Sequence, residues 1–404
     1  MTYIVFDAET TVKNNPDVSD YTVGDEWGSP FHPQNKVVLS GWVTEGSSEV
    51  ILSEGVPKLD SRITKLVGHN VRFDMHYLYK HSGKAFEEWL YNPQNMVWDT
   101  QIVEYLLTAQ QTKFASLDEL SERYGGTLKD SGIKQFWNQG GQTEDLPTER
   151  LAPYLEGDVL NTEIVYKEQL HAAHITGLLP LIKTQMKALV ATWEMRKNGM
   201  CFDMDQAIKG AQKLGKKLDK IKQKLQTIVD EKHPHAPSGT LAINSNDVIS
   251  RIIFGGDYTY YTEEDVLDAD GIPVVFKSGK RKGMVRTKKK ENKGGVKGFA
   301  SPSSDWTTKK FGVFQTGEDV LKRLLIQDLP PEGREYIELI LQQRALNKDL
   351  ETYFTGYSEL AWLEEFEGTP KYFIHGDLNM CSTNTGRMSS SKPNLQNLSK
   401  KQRD

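Results

Sequence analysis

The first ~110 residues alternate short runs of β-branched and aromatic residues with helix-like segments, a pattern typical of an α/β fold. Residues 3–10, with the sequence YIVFDAET, open with strand-forming side chains, and similar runs follow at 35–44, 48–53 and 65–70. We expect the first three strands to form a meander. The fourth leads directly into a helix that ends at Gly83. This part of the chain therefore predicts an α/β domain.

The remainder of the chain has mainly helical periodicity. A long helix is predicted after Pro147, although Pro153 and Gly157 favour a break or a kink inside it. From about residue 179 the pattern changes to long helices. In residues 205–232, apolar positions recur every three to four residues with lysines between them. We therefore expect a mainly helical region to follow the α/β domain.

Composition is that of an ordinary soluble protein. The 404 residues are 37% hydrophobic and 26% charged, enough for two or three domains. No run approaches the ~18–20 apolar residues of a membrane helix, and the first residues lack the features of a secretory signal. Cys201 and Cys381 are far apart and have no zinc-ligand spacing. These observations predict a cytoplasmic protein without a membrane contact, a disulfide scaffold or a zinc site.

The net charge of −5 hides a basic segment. Between Lys277 and Lys310, twelve Lys or Arg residues accompany only Glu291 and Asp305, so this segment carries +10 and the rest of the chain −15. Blocks of this kind attract polyanions or form solvated loops. The sequence predicts an interaction segment or a mobile loop here and does not decide between them.

Four acidic residues form the strongest chemical pattern in the first domain. Asp7 and Glu9 are two apart on a predicted strand, so both project from one face. Asp74 follows the fourth strand, and Asp158 lies four residues after Tyr154 on a predicted helix. Each is a weak signal alone, because such residues are usually solvated or cap helices. Together they offer the carboxylate oxygens that hard divalent cations prefer.

The order of these residues resembles the 3′-5′ proofreading exonuclease domain of family A, DNA polymerase I-like, DNA polymerases. The matching motifs are Asp7-x-Glu9, Asn70-x-x-x-Asp74 and Tyr154-x-x-x-Asp158. A tyrosine at the first position of the third motif marks the tyrosine subclass of the DEDD exonucleases. The resemblance implies an RNase H-like fold and two Mg²⁺ ions, which Mn²⁺ can replace.

The resemblance also implies a role for each residue. Asp7 bridges both ions, Glu9 and Asp158 hold the ion that carries the nucleophilic water, and Asp74 supports the second ion. Two further residues act on water and substrate: Tyr154 orients the attacking water, and Asn70 lies near the terminal nucleotide.

The helical region resembles the thumb of the same family, which grips duplex primer-template DNA. Residues from about 256 to 311 fit the family poorly and are interpreted as a basic insertion. Phage polymerases carry thumb insertions, one type of which recruits a host processivity factor. Binding of such a factor, contact with the DNA backbone and a solvated loop all remain open for this insertion.

The motif TNTGRMSSSKPNLQNLS, from Thr383, closely resembles a palm element of family A polymerases. The resemblance implies that Arg387 contacts the minor groove at the primer terminus. It also places Asn394, Gln396 and Asn397 along the same groove, where contacts check shape rather than sequence. The D-Y-S and H-D-E carboxylate motifs of the polymerase site are expected C-terminal to this element and are not found in the chain.

The sequence therefore predicts an α/β RNase H-like exonuclease at 1–178, a thumb-like region at 179–370 and the start of a palm at 371–404. The expected function is 3′-5′ hydrolysis of DNA in the proofreading part of a phage-type polymerase. The expected partners are a single-stranded 3′ end and primer-template duplex. Two alternatives remain: one half of a split polymerase, completed by a C-terminal fragment, that acts mainly in DNA binding, and a free-standing exoribonuclease of the RNase D type.

Overall fold

A computed structural model describes residues 2–11, 29–127 and 131–397. The chain divides into two compact units. Unit 1 comprises Met1–Met204 and Gly356–Asp404, and unit 2 comprises Asp205–Thr355. No helix in the described ranges has the length and apolar character needed to cross a bilayer. The two boundaries within the chain differ from the domain limits at residues 178 and 370, which remain predictions.

Unit 1 is built on a five-stranded mixed sheet, whose strands are β1 Thr2–Thr10, β2 Val37–Thr44, β3 Ile51–Ser53, β4 Ile63–Gly68 and β5 Met96–Asp99. Their spatial order is β3-β2-β1-β4-β5. The first three strands pair antiparallel, as the predicted meander requires, whereas β1–β4 and β4–β5 are parallel. The central strand β1 is buried along most of its length, because helices and sheet neighbours cover it.

Before residue 200, the described part of unit 1 contains the helices α1 Arg72–Ser82, α2 Lys84–Leu90, α3 Thr100–Leu107, α4 Leu117–Tyr124, α5 Ser131–Asn138, α6 Thr148–Ile175 and α7 Leu179–Asn198. Ser116 caps α4, and Glu119 completes a capping box with it. The predicted break in α6 is wrong, since this helix is continuous through Pro153 and Gly157. Burial of Leu151, Tyr154 and Leu155 on either side of the proline holds the helix together.

A short strand, β6 Met200–Phe202, precedes unit 2, whose elements are α8 Met204–Lys232, α9 Asn246–Phe254, β7 Gly256–Asp265, β8 Thr287–Val296, α10 Glu318–Leu325 and α11 Pro331–Lys348. Apolar faces of its helices form a separate core, which includes Ile252, Leu321 and Tyr336. The 3–4 spacing in α8 provides buried positions at Leu218, Leu225 and Val229.

The chain returns to unit 1 through α12 Gly356–Glu359, β9 Ala361–Phe366, β10 Thr369–Ile374, β11 Asp377–Asn379 and β12 Ser389–Ser391. A second sheet has the order β6-β10-β9, and β11 pairs with β12 as a two-stranded ribbon. Met380 and Cys381 enter the main core of unit 1 beside Trp193. The returning segment is therefore an integral part of unit 1.

Candidate active site

Strand β1 brings Asp7 and Glu9 to one edge of the sheet. Its parallel pairing with β4 ends at Val5–Val67, so both acidic residues lie beyond the last paired residues of β4. Carboxyl ends of parallel strands are common ligand sites in α/β folds, because the chain turns away there and leaves a crevice. Both side chains are half-buried.

Helix α6 brings Asp158 to the same edge. Gly41 on β2 lies opposite Asp7, and a Cβ at Gly41 would lie 3.1 Å from the Leu155 side chain and 3.2 Å from that of Val159. The missing side chain therefore lets α6 pack closely against the sheet. One carboxylate oxygen each from Asp7, Glu9 and Asp158 lie within 4.8 Å of one another.

Asp74 reaches this cluster from α1. It is 3% exposed, and the backbone N–H of Ala8 donates to its carboxylate. Burial, followed by the negative charges of Asp7 and Glu9, raises the pKa of Asp74 well above its usual value. The four predicted carboxylates are thus brought together, and we call Asp7, Glu9, Asp74 and Asp158 the acidic cluster.

The acidic cluster fits a divalent cation. Carboxylate oxygens are hard ligands suited to Mg²⁺ or Mn²⁺, whereas histidine and cysteine, which favour softer metals, are absent from the described ligand group. Burial contributes most to the raised pKa of Asp74, and the charges of Asp7 and Glu9 add a repulsion that a bound cation would relieve. The donor set therefore matches the chemistry expected from the sequence.

Asn70 and Tyr154 each lie four residues before a member of the acidic cluster, Asp74 and Asp158 respectively. Tyr154 lies one turn before Asp158 and is buried, with its ring edge-on to Trp137 at 5.7 Å between centroids. Packing therefore fixes the direction of the tyrosine ring. Asn70 has a positive φ of 53° at the turn between β4 and α1 and lines a cleft of about 280 Å³.

The other wall of that cleft is formed by the residues from Asp377 to Cys381. Asp377 pairs with Arg196 at 2.9 Å and with Arg72 at 3.3 Å, and the Tyr105 hydroxyl donates to the Thr383 carbonyl at 2.6 Å. These contacts anchor the returning segment on the body of unit 1. Sequence reasoning missed them, because the pairs are separated by more than 150 residues.

The predicted groove residues lie on the returning segment of unit 1. Arg387, Asn394 and Gln396 are exposed, and the side chain of Asn397 lies outside the described part of the structure. The Tyr357 hydroxyl donates to the Asn394 carbonyl at 3.2 Å, which fixes the turn on which these amides stand. Their side chains are thus available to a ligand.

Asp99 is a buried acid that the sequence reasoning also missed. It ends β5 and caps α3, and its carboxylate accepts from three backbone N–H groups, those of Val71, Gln101 and Ile102. Burial raises its pKa to about 6, against the opposing effect of these donors. The available signal was an aspartate directly before an apolar helix, the usual position of a cap.

The basic segment is partly a β-hairpin in unit 2, not only a loop. β7 and β8 pair antiparallel, which sets Glu263 opposite Lys289 and Glu264 opposite Lys288, and Lys290 pairs with Glu264. Acidic residues of β7 therefore offset part of the charge of β8. Five cations of the connecting segment are exposed, and none has an ion-pair partner among the described residues: Lys277, Lys280, Arg281, Lys282 and Arg286.

We call these five residues the hairpin cations. Arg281 and Arg286 lie over the ring of Phe276, at 5.0 and 5.8 Å from its centroid. The same end of the hairpin exposes five apolar side chains: Leu267, Ile272, Val275, Met284 and Val285. The positive charge of the segment is therefore concentrated beside apolar surface at one end of the hairpin.

Comparison with known families assigns two segments of the chain. Residues 1–170 match the 3′-5′ exonuclease family model, and residues 298–404 match that of DNA polymerase family A. The chain is thus similar to family A DNA polymerases that carry a 3′-5′ exonuclease domain. The prediction of an α/β fold with an RNase H-like exonuclease domain is confirmed.

Two individual proteins extend this similarity. DNA polymerase I of Bacillus subtilis (strain 168) is 22% identical over 337 residues, which are 78% of this chain and 31% of that protein. The POL domain of Pol1 from M. smegmatis, solved with DNA primer-template and dNTP, superposes with a TM-score of 0.58 at 14% identity. The superposition covers 98% of this chain and 52% of that one. The chain therefore spans about a third to a half of the length of these relatives.

Proposed function

We propose that this chain is a 3′-5′ exonuclease that removes nucleotides from the 3′ end of DNA as the proofreading part of a phage-type family A polymerase, in the cytoplasm. The observation that carries the proposal is the convergence of Asp7, Glu9 and Asp158 within 4.8 Å, with the buried Asp74 beside them. The matches at 1–170 and 298–404 support the same class of protein.

The acidic cluster is proposed to hold two Mg²⁺ ions, for which Mn²⁺ can substitute. When bound, such ions supply Lewis-acid activation of water and of the scissile phosphodiester. Asp7, Glu9 and Asp158 are proposed as ligands, and Asp74 as the carboxylate that completes the site from α1. Burial of Asp74 and its bond from the Ala8 N–H keep this side chain in one orientation.

Tyr154 and Asn70 are proposed to position the reactants. The Tyr154 ring is held by Trp137, so its hydroxyl has a fixed direction in which to orient the attacking water. Asn70 presents its amide beside the cleft, where it can bind the terminal nucleotide. Proximity and orientation of this kind account for a large part of the rate in phosphoryl transfer.

The test is release of nucleoside monophosphates from 3′-labelled single-stranded DNA, with and without Mg²⁺. Asp7→Ala is expected to abolish release, whereas Asp60→Ala, which removes a surface aspartate paired with Arg62, leaves it unchanged. Full activity of Asp7→Ala overturns the assignment. Offering RNA 3′ ends in parallel tests the RNase D alternative, against which the polymerase match at 298–404 counts.

A second candidate function is supported by the exposed Arg387, Asn394 and Gln396. We propose that these residues and Asn397 line the minor groove of primer-template DNA. In this reading the chain acts mainly as a DNA-binding half of a split polymerase, and a separate polypeptide supplies the polymerase carboxylates. Primer extension by a mixture of this chain with such a C-terminal fragment supports that role; exonuclease activity alone, without extension, favours the first proposal.

The end of the hairpin in unit 2 is proposed as a further contact surface. Its five cations favour DNA phosphates as the partner, and the neighbouring exposed apolar side chains favour a protein such as a processivity factor. If the hairpin binds DNA, the affinity for primer-template should depend strongly on salt, and the hairpin cations should account for part of that dependence. A protein partner predicts unchanged DNA affinity and longer extension products only when that partner is added.

A further inference from the structure

Asp99 connects two strand ends at the edge of the sheet that carries the acidic cluster. Its side chain is 2% exposed, and its two oxygens have different partners. Oδ1 accepts from the N–H groups of Gln101 at 2.9 Å and Ile102 at 3.2 Å, which caps α3. Oδ2 accepts from the N–H of Val71 at 3.0 Å, across to the beginning of α1. The Oδ1 bonds stay within the junction of β5 and α3, whereas the Oδ2 bond crosses to the junction of β4 and α1.

The residue next to Val71 has a backbone that needs support. Asn70 adopts a φ of 53°, a left-handed conformation that is uncommon for a non-glycine residue and persists only where its surroundings fix it. A second bond holds the same turn, since His69 Nδ1 lies 2.9 Å from the hydroxyl of Thr100, the residue after Asp99. Two consecutive residues at the junction of β5 and α3, Asp99 and Thr100, are thus hydrogen-bonded to the junction of β4 and α1.

We propose that Asp99 is a positioning residue for the exonuclease site. Through the Val71 N–H it fixes the turn at Asn70 and the first turn of α1, and thereby the orientation in which Asp74 enters the acidic cluster. Asp74 lies one helical turn after Val71, whose carbonyl accepts the Met75 N–H at 2.9 Å, so displacement of Val71 is transmitted directly to Asp74. This inference rests on the proposed exonuclease function.

The two tasks of Asp99 can be separated by substitution. In Asp99→Asn, the amide oxygen still accepts from Gln101 and Ile102, so α3 keeps its cap. The amide nitrogen then faces the Val71 N–H, a donor against a donor, and the connection to α1 is lost. Ser116→Ala is the matched control, because it removes the cap of α4 in the same unit without touching the turn at Asn70.

The test compares the full-length wild type, Asp99→Asn and Ser116→Ala in two measurements. Hydrogen exchange of residues 68–75 reports how firmly the junction of β4 and α1 is held in place. The kcat and KM on 3′-labelled single-stranded DNA report the effect of that junction on catalysis. For Asp99→Asn we expect faster exchange in 68–75 and a kcat about 10–100-fold lower, the usual effect of losing a partner that orients a ligand. KM for DNA is expected to change little, and Ser116→Ala should alter neither quantity.

Two results overturn the inference. The first is that Asp99→Asn shows the same exchange and the same kcat as the wild type. The second is that Ser116→Ala loses as much kcat as Asp99→Asn when the two variants are equally destabilised, because the effect is then one of stability alone. A wild type without Mg²⁺-dependent activity refutes the proposed function instead. The exchange of residues 68–75 then still decides whether Asp99 holds the turn.

Discussion

The acidic cluster and the basic hairpin are opposite kinds of charge concentration. The acidic cluster gathers residues spread from Asp7 to Asp158. The fold brings oxygens of Asp7, Glu9 and Asp158 within 4.8 Å of one another, with the buried Asp74 beside them. The basic residues are contiguous in sequence, but pairing with β7 offsets part of their charge and leaves the remainder exposed. Charge density along a chain and charge density in space are therefore different quantities, and burial increases the energetic effect of the second.

The largest expected difference is catalytic. Asp158→Asn removes a proposed ligand oxygen and should lower Mg²⁺-dependent hydrolysis of single-stranded DNA by about 10²–10³-fold or more, the scale of losing a group that stabilises the transition state. Changing all five hairpin cations to Gln should leave hydrolysis of a short single strand at the wild-type rate. A large loss of that rate in the hairpin variant would place the hairpin in the active site and remove the contrast.

The next effect is on binding of duplex DNA. If the hairpin cations neutralise phosphates, replacing all five by Gln should make the plot of log affinity against log salt concentration less steep. The slope should decrease in magnitude by about 0.9 for each phosphate that is no longer neutralised. Fluorescence anisotropy of a primer-template at several NaCl concentrations measures this slope. A matched variant with Leu267 and Met284 changed to Ser should keep the wild-type slope. An unchanged slope in the Gln variant leaves the protein partner as the remaining proposal.

A smaller effect concerns stability without metal. Because the pKa of Asp74 is raised in the folded state, the folded protein holds this proton more tightly than the unfolded chain. The corresponding stabilisation is present at low pH and is lost as pH rises through the folded pKa. In EDTA at neutral pH, Asp74→Asn should therefore raise the melting midpoint of unit 1, at about 2–4 °C per kcal/mol for a domain of this size.

The pH dependence supplies the control for this prediction. The difference in midpoint between Asp74→Asn and wild type should be constant above the folded pKa of Asp74 and should shrink as pH falls below it toward the unfolded pKa. Added Mg²⁺ should raise the wild-type midpoint by preferential binding to the folded state and should raise that of the variant less. A variant that is less stable than wild type in EDTA at neutral pH contradicts the repulsion inferred for the acidic cluster.

The smallest effect is expected on the hairpin surface. Glu264→Gln breaks the pair with Lys290, whose two side chains are 41% and 52% exposed, and ion pairs open to solvent in this way contribute little. Its melting midpoint should match that of the wild type. A clear shift would mean that the hairpin charges are coupled more strongly than their exposure indicates.

Local spacing predicted pairs of neighbouring site residues, whereas the convergence of all four acids was expected from the resemblance to the exonuclease motif order. Alternation on a strand places Asp7 and Glu9 on one face, and a spacing of four places Tyr154 and Asp158 on one side of a helix. Such spacings indicate which side chains share a face, because the periodicity of a strand or a helix is a local property. The meander was predicted for the same reason.

Features that depend on distant pairing could not be predicted in this way. The lysines of β8 have low strand propensity, and the strand forms by pairing with β7, where Glu264 and Glu263 lie opposite Lys288 and Lys289. Continuity of α6 through Pro153 depends on burial on both sides of that residue. The bond from Val71 to Asp99 joins residues 28 apart, and no local pattern indicates it.

The pairing of β6 with β10 has a consequence for the order in which the protein can assemble. Cys201 lies beside Phe373, so the second sheet of unit 1 brackets all of Asp205–Thr355 in the chain. During synthesis, β6 therefore waits without its partner strand until unit 2 has been made. The segment with Arg387 can dock only after that point, which makes unit 1 the first to begin folding and the last to finish.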